Sequence, residues 1–287
     1  MNDLMSLLFE TNAFQICKEN EPFWYTSGKI GPYFINTQFL YGSSQSAQEF
    51  LDFIDIQLET TQKDCIPSNL FEKVLAQYQN NNIYKTVIDT LKEFITSNID
   101  LSSIDYISGG ERRDWFFSIM ISYILEKPHI TIFKDLSAVS STSDFKESNF
   151  VEKLSGKHVL HIADLLNTAS SYARSWIPAI ESLGSKIITS IAVVDRMQGG
   201  SQTLKEHNIE SFTLLQVNNI LFKKAKELGI INENQLDMLN KYTENPDECM
   251  REFLIEHPEF LENALHSDNP KTVKRAKTCV EQNFYHL

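Results

Sequence analysis

Residues 158–176, HVLHIADLLNTASSYARSW, place one carboxylate, Asp164, after an apolar run and before a stretch of small and hydroxyl side chains. The run HVLHIA (158–163) reads as a buried strand, and 171–183 as a helix closing at Gly184. Ligands of open α/β sheets bind outside the carboxyl ends of strands. A helix N-terminus offers free N–H groups and partial positive charge, which suits a phosphate. Thr168, Ser170 and Ser171 supply hydroxyls at that place. A plain strand–turn–helix with Ser170 as N-cap accounts for the same residues.

A second charged segment is SGGERRDW, 108–115. Arg112 and Arg113 fall where a helix should begin, and cations there oppose the helix dipole by ~0.3–1 kcal/mol each. Glu111 and Asp114, or a bound anion, would relieve that opposition; a surface salt-bridge cluster is the plainer alternative. His158 and His161 lie three apart on a strand and point to opposite faces, so they read as structural histidines and not as a metal pair. Trp115 and Trp176 occupy helical positions expected in the core.

The elements that must carry these residues follow from periodicity. Residues 1–22 read as a short amphipathic helix ending before Pro22, and 23–41 as turns and short strands. Residues 45–100 repeat apolar side chains at helical spacing, giving two or three helices broken around Pro67. Strands are expected at 104–108, 129–133, 158–163, 187–194 and 212–217, with helices at 114–126 and 171–183. That alternation implies βαβ units and a parallel sheet. The segment 137–150 is polar and Ser-rich, and everything after 218 is helical, including capped segments at 256–265 and 269–282 with Pro near each start.

The chain has 287 residues, 42% of them hydrophobic, enough for a substantial core. A net charge of −12 argues against general nucleic-acid binding, although local basic clusters can still hold phosphates. Cys17, Cys65, Cys249 and Cys279 form no CxxC pair, which speaks against a disulfide scaffold or zinc site and fits a reducing cytosol. No secretory signal and no apolar run of about 20 residues is seen, so neither export nor membrane insertion is expected.

The segment 158–176 resembles the phosphoribosyl-diphosphate motif of the type I phosphoribosyltransferases: an apolar strand, two acidic residues and a Thr-Ala-Gly-Thr-like loop. Asp164 matches the second acid and Ala163 stands at the first. Thr168 and Ala169 match, Ser170 stands for the loop glycine, and Ser171 for the final Thr or Ser. Three further segments are similar to the orotate members of that family. SGKIGPYFIN (27–36) resembles Ser-Gly-Arg-x-Ser-Pro-Tyr-Phe-x-Asn, with Thr26 where the family has lysine; AVVDRMQGG (192–200) resembles Ala-x-x-Asp-Arg-x-x-x-Gly; and FKD (133–135) falls at Arg-Lys-Glu.

The resemblance implies an α/β protein with the type I phosphoribosyltransferase fold, its parallel central sheet flanked by helices. Beside the core at 101–217 it implies an N-terminal hood and base-binding segment (1–44), while the helical segment (45–100) and the C-terminal helical extension (218–287) are read from periodicity. The polar segment 137–156 corresponds to a mobile hood, for which a disordered surface loop is the alternative. The implied activity is transfer of phosphoribosyl from phosphoribosyl diphosphate to orotate, with Mg²⁺ carried by the substrate and at most Asp164 as a protein ligand. Asp164 and Lys134 are the implied catalytic residues, and Arg112 and Arg113 join Lys134 at the diphosphate. Thr168, Ala169, Ser170 and Ser171 are assigned to the 5′-phosphate, with Arg196, Phe34 and Lys29 on the base side. A cytoplasmic homodimer with small-molecule substrates, no nucleic acid and no membrane is implied. A binding module without turnover, or a transferase for another base, remains an alternative because Ala163 and Thr26 depart from the pattern.

Overall fold

A computed structural model describes residues 4–287. Its packing divides the chain into two compact units, residues 1–12 with 37–217 and residues 13–36 with 218–287.

The first unit is built on a seven-stranded sheet among the described residues. Its strands are β1 (Tyr106–Gly110), β2 (His129–Ile132), β3 (Ala138–Ser141), β4 (Ser148–Phe150), β5 (His158–Leu166), β6 (Lys186–Asp195) and β7 (Glu210–Gln216). The order across the sheet is β7-β6-β5-β1-β2-β3-β4. The five strands from β7 to β2 run parallel, and β3 and β4 add to that edge antiparallel. The expected parallel core is therefore present. The polar segment 137–156 extends it as a hairpin: Ser141 and Ser148 hydroxyls bond across it at 2.7 Å, and buried Phe145 near its turn stacks on Phe71.

The helices of this unit are α1 (Leu4–Glu10), α2 (Ser44–Thr60), α3 (Ile66–Asn80), α4 (Asn82–Asn98), α5 (Trp115–Ile124), α6 (Ile177–Ser182) and α7 (Gly200–Glu206). The break expected near Pro67 is real, with the proline in the first turn of α3. The sequence of α5, WFFSIMISYI, is apolar on every side, and such a helix must be covered all round. It packs on β1, β5 and β2, and α3 and α4 cover it from outside. Tyr84 of α4 donates its hydroxyl to the carbonyl of Phe116. The helices of 45–100 thus enclose the central helix. The expected single helix 171–183 is instead a π-helical turn, Tyr172–Trp176, running into α6.

The second unit joins two distant parts of the sequence. Strand Phe14–Ile16 pairs antiparallel with Tyr33–Ile35, and Phe23–Trp24 with Ile30–Gly31. The helix expected over residues 1–22 therefore stops at Glu10. Asn12 takes φ 57, turning the chain, and Phe14 and Ile16 enter a strand pair that local spacing does not announce. The rest is helical as expected: α8 (Asn219–Glu227), α9 (Glu233–Glu244), α10 (Pro246–Glu256), α11 (Pro258–Leu265) and α12 (Pro270–Glu281). Asn232, Asn245 and Asn269 cap α9, α10 and α12 through their side chains. The tail holds the early segment directly: Tyr285 accepts the Ile30 N–H at 2.9 Å and Arg275 donates to the Trp24 carbonyl at 3.0 Å. Among the described residues no helix is long and apolar enough to cross a membrane.

Candidate functional site

Three parallel strands deliver polar residues to one place. After β1 come Glu111, Arg112, Arg113 and Asp114; after β2 comes Lys134; and β5 carries Asp164 and leads into 167–171. These segments line a cleft of about 260 Å³ together with Ala163, Tyr172 and Trp176. Its position at the carboxyl ends of adjacent parallel strands is where such sheets bind ligands.

Asp164 is not at the end of its strand, as HVLHIA suggests, because β5 continues to Leu166. It is 9% exposed, and its Oδ2 accepts the Thr37 hydroxyl at 2.9 Å. Burial pushes its carboxyl up to about 7, reinforced by the charge of Asp114 and opposed by Arg113 and the Thr37 hydrogen bond.

Asp114 precedes α5 but does not cap it. Its Oδ2 accepts the Gly110 N–H and its Oδ1 accepts the Asp164 N–H, each at 3.0 Å, so one carboxylate ties β1 to β5. Behind it lies His161, which is fully buried. Its Nδ1 meets the Ser108 hydroxyl at 2.9 Å and its Nε2 stands 3.4 Å from Asp114 Oδ2. Ser108, His161 and Asp114 stand in the order of a nucleophile-activating chain, but Nε2 makes no hydrogen bond and Ser108 is wholly buried. His161 points inward and His158 is exposed, as the strand spacing predicts.

The glycines after Ser108 allow this packing. A Cβ on Gly109 would stand 2.1 Å from the Ser118 hydroxyl, and one on Gly110 would stand 2.3 Å from the Trp176 ring. Trp115 and Trp176 are buried as expected, and Trp176 also borders the cleft.

The two arginines separate. Arg112 is turned into an ion pair with both carboxylate oxygens of Asp55 on α2. Arg113 is exposed and makes no such pair, although both arginines line the cleft. Lys134 is 66% exposed on the rim, its ammonium 3.2 Å from Glu111, which also accepts the Lys134 N–H.

In the loop, the left-handed residue is Ala169, at φ 58, and not Ser170. Glycine favours that conformation, so the backbone position of this loop that a glycine would suit is Ala169, one residue before Ser170. Asn167, Ala169, Ser170 and Ser171 line the cleft, whereas Thr168 is exposed and outside the lining. Arg196 follows β6, is half-buried and is also outside the lining; its N–H donates to the Leu166 carbonyl at 2.8 Å.

Lys29 and Phe34 belong to the second unit. Lys29 pairs with Asp247 at 2.7 Å, and the Phe34 ring packs edge-on against Phe23 and Tyr25. Thr37 and Asp55 escaped sequence reasoning, because they lie far along the chain from their partners. Among the described residues no group of three or more His, Cys, Asp or Glu could hold a metal. The acids in the cleft lining are Glu111, which pairs with Lys134, and the nearly buried Asp114 and Asp164.

No family model matches the chain. It is 29% identical over 138 residues to an orotate phosphoribosyltransferase of Methanosphaera stadtmanae, covering 48% of this chain and 74% of that protein. It is 24% identical over 164 residues to an orotate phosphoribosyltransferase of Sulfurisphaera tokodaii, covering 56% and 79%. The structure resembles the orotate phosphoribosyltransferase of Francisella tularensis, with a TM-score of 0.51 and 15% identity over 84% of this chain and 96% of that one. It also resembles the UMP synthase of Leishmania donovani, with a TM-score of 0.52 and 15% identity over 84% of this chain and 41% of that longer one.

Proposed function

We propose that this chain, orotate phosphoribosyltransferase-like in sequence and of the type I phosphoribosyltransferase fold, is an enzyme that transfers phosphoribosyl from phosphoribosyl diphosphate to orotate. The observation that carries the reading is one cleft whose lining holds three polar zones: the cations Arg112, Arg113 and Lys134, the loop residues Asn167, Ala169, Ser170 and Ser171, and the nearly buried carboxylates Asp114 and Asp164. A ligand with an anionic group at each end and hydroxyls between them matches those zones.

In this reading the hydroxyls of Ser170 and Ser171 and the N–H groups opening the following helix hold the 5′-phosphate. Arg113 and Lys134 hold the diphosphate and stabilise the negative charge that grows on it as it leaves. Asp164 faces the sugar, fixing its orientation and opposing the positive charge that develops at the anomeric carbon. Arg112, paired with Asp55, props the turn that carries Arg113. Arg196 takes the orotate carboxylate, for which a planar guanidinium is the apt partner. Magnesium, bound by substrate oxygens with Asp164, supplies further charge neutralisation when present. The active form is a homodimer, a point that light scattering of the ligand-bound protein checks.

The test is diphosphate release measured over a panel of bases, beside calorimetry with phosphoribosyl diphosphate alone. Turnover with orotate is expected. Binding without turnover would instead select a nucleotide-binding module, which the alanine at 163 favours, and turnover with a different base would move the acceptor.

A further inference from the structure

We propose that Lys63, on the turn between α2 and α3, is a positioning residue for the diphosphate end of the cleft and acts through Lys134. This rests on the phosphoribosyl reading above and adds to it a residue that lies outside the cleft lining.

Lys134 stands on a turn that needs holding. Residues 133–137 join β2 to β3, with the Phe133 N–H donating to the Ser137 carbonyl and the Leu136 N–H to the Phe133 carbonyl, each at 3.0 Å. Leu136 takes φ 69, a left-handed conformation that side chains larger than glycine's disfavour, and its own side chain is exposed. The Lys134 side chain is mostly exposed as well, so its ammonium has a fixed place only if the backbone beneath it is fixed. Glu111 grips the turn from β1, accepting the Lys134 N–H at 3.1 Å and pairing with its ammonium.

Lys63 grips the same turn from the helical segment. Its ammonium pairs with the Asp135 carboxylate, meets the Ser137 hydroxyl at 2.9 Å and lies 4.8 Å from the centroid of the Phe133 ring. Phe133 is itself buried and packs edge-on against Trp115 of α5, with ring centroids 5.4 Å apart. The three residues that Lys63 touches, 133, 135 and 137, bracket Lys134 on both sides. The Lys63 hydrogen bond is also the largest cause holding the Asp135 carboxyl down at about 2. Five residues before the end of α2, Asp55 pairs with Arg112, so this helix and the turn after it tie down the chain following β1 and the chain following β2. Lys63 and Lys134 each have an acid beside them, Asp135 and Glu111, and two neutral pairs side by side add little net field to the cleft. What Lys63 gives the site is therefore the placement of Lys134 and not charge of its own.

The experiment is calorimetry with inorganic diphosphate on wild type, Lys63→Met, Lys63→Arg, Lys134→Ala and the Lys63→Met/Lys134→Ala double mutant. A partly exposed ion pair adds little to stability, so these proteins should fold. Lys63→Met should weaken diphosphate binding roughly threefold to tenfold, a part of what a hydrogen bond to a charged group supplies. Lys63→Arg, which keeps the carboxylate pair and the cation over Phe133, should stay within about twofold of wild type. On the Lys134→Ala background the Lys63→Met change should cost less than about twofold, because the side chain it places is gone. An equal loss on both backgrounds, as removal of charge or a general loosening would give, overturns the proposal and leaves the phosphoribosyl reading standing; so does a folded Lys63→Met protein with wild-type affinity. Asp135→Ala separates geometry from charge, and it carries the test if Lys63→Met does not fold. Removing that anion would by charge alone tighten diphosphate binding, whereas releasing the turn weakens it, and an Asp135→Ala protein that binds as tightly as wild type or tighter overturns the proposal. A wild type that binds no diphosphate overturns the phosphoribosyl reading and the proposal together.

Discussion

Replacing Asp164 with asparagine should make the protein more stable at neutral and alkaline pH while disabling the cleft. Burial, helped by the charge of Asp114, raises the Asp164 carboxyl from an ordinary 3.8 to about 7. Below about pH 4 the group is protonated in the folded and unfolded chain alike, and the shift costs nothing. As pH rises through the range from about 4 to about 7, the unfolded chain releases the proton and the folded chain keeps it, so stability falls; above about 7 the loss is complete. A displacement of that size corresponds to at most about 4 kcal/mol, and relaxation around the charge reduces it. Asparagine fills the same volume, can still accept the Thr37 hydroxyl and never has to ionise. Asp164→Asn should therefore match wild type below about pH 4 and exceed it by about 2–4 kcal/mol near pH 8. Denaturant melts followed by circular dichroism across that range measure the difference. Aspartates that hydrogen bonds hold low, Asp135 and Asp144 at about 2 among them, lie outside this window and cancel between the two proteins. Equal pH slopes for mutant and wild type, or a mutant that is weaker throughout, would refute the claim that an uncompensated carboxyl sits at this position. A gain in stability with loss of ligand binding is the pattern expected where a site is maintained at the expense of stability.

Four further outcomes follow from the geometry. Arg113→Ala should weaken phosphoribosyl diphosphate binding by about 1.5–3 kcal/mol in calorimetry, whereas Arg112→Ala, which breaks the Asp55 pair, should show its main effect on stability. Ala163→Asp should lower the melting temperature and bring no gain in turnover, since the new carboxylate would enter a site occupied by the Tyr172–Trp176 cluster and already adjoining two acids. Gly110→Ala should cost about 1–3 kcal/mol, because its methyl would collide with the Trp176 ring; an unchanged denaturation midpoint would contradict that packing. Ala169→Val should destabilise more than Ala169→Gly in the same melts, because a β-branched side chain tolerates the left-handed backbone at φ 58 poorly.

Much of the fold is written locally. The alternation of short apolar runs with helix-spaced segments is enough to imply the parallel sheet, because period and length are properties of neighbouring residues. The strand before Asp164, the hydroxyl loop and the helix after it are legible for the same reason, and so are the Asn- and Pro-marked starts of the tail helices. The wholly apolar WFFSIMISYI also declares that something must cover it on all sides, although it does not say what.

What tertiary structure alone decides is which distant residues meet. Asp114 and Asp164 stand fifty residues apart in sequence and share a hydrogen bond only because β1 and β5 are sheet neighbours. Arg112 and Arg113 are adjacent in sequence, alike in chemistry and both in the cleft lining, yet α2 brings Asp55 to Arg112 alone. Which loop residue turns left-handed is also decided there, because an alanine and a serine next to each other give no sign of it. The strand at 14–16 and the union of 13–36 with 218–287 depend on partners contributed from elsewhere in the chain, and strand pairing carries no local mark of its partner. The residue types limit the chemistry to phosphates, hydroxyls and carboxylates, and the sheet order selects which of them act at one site.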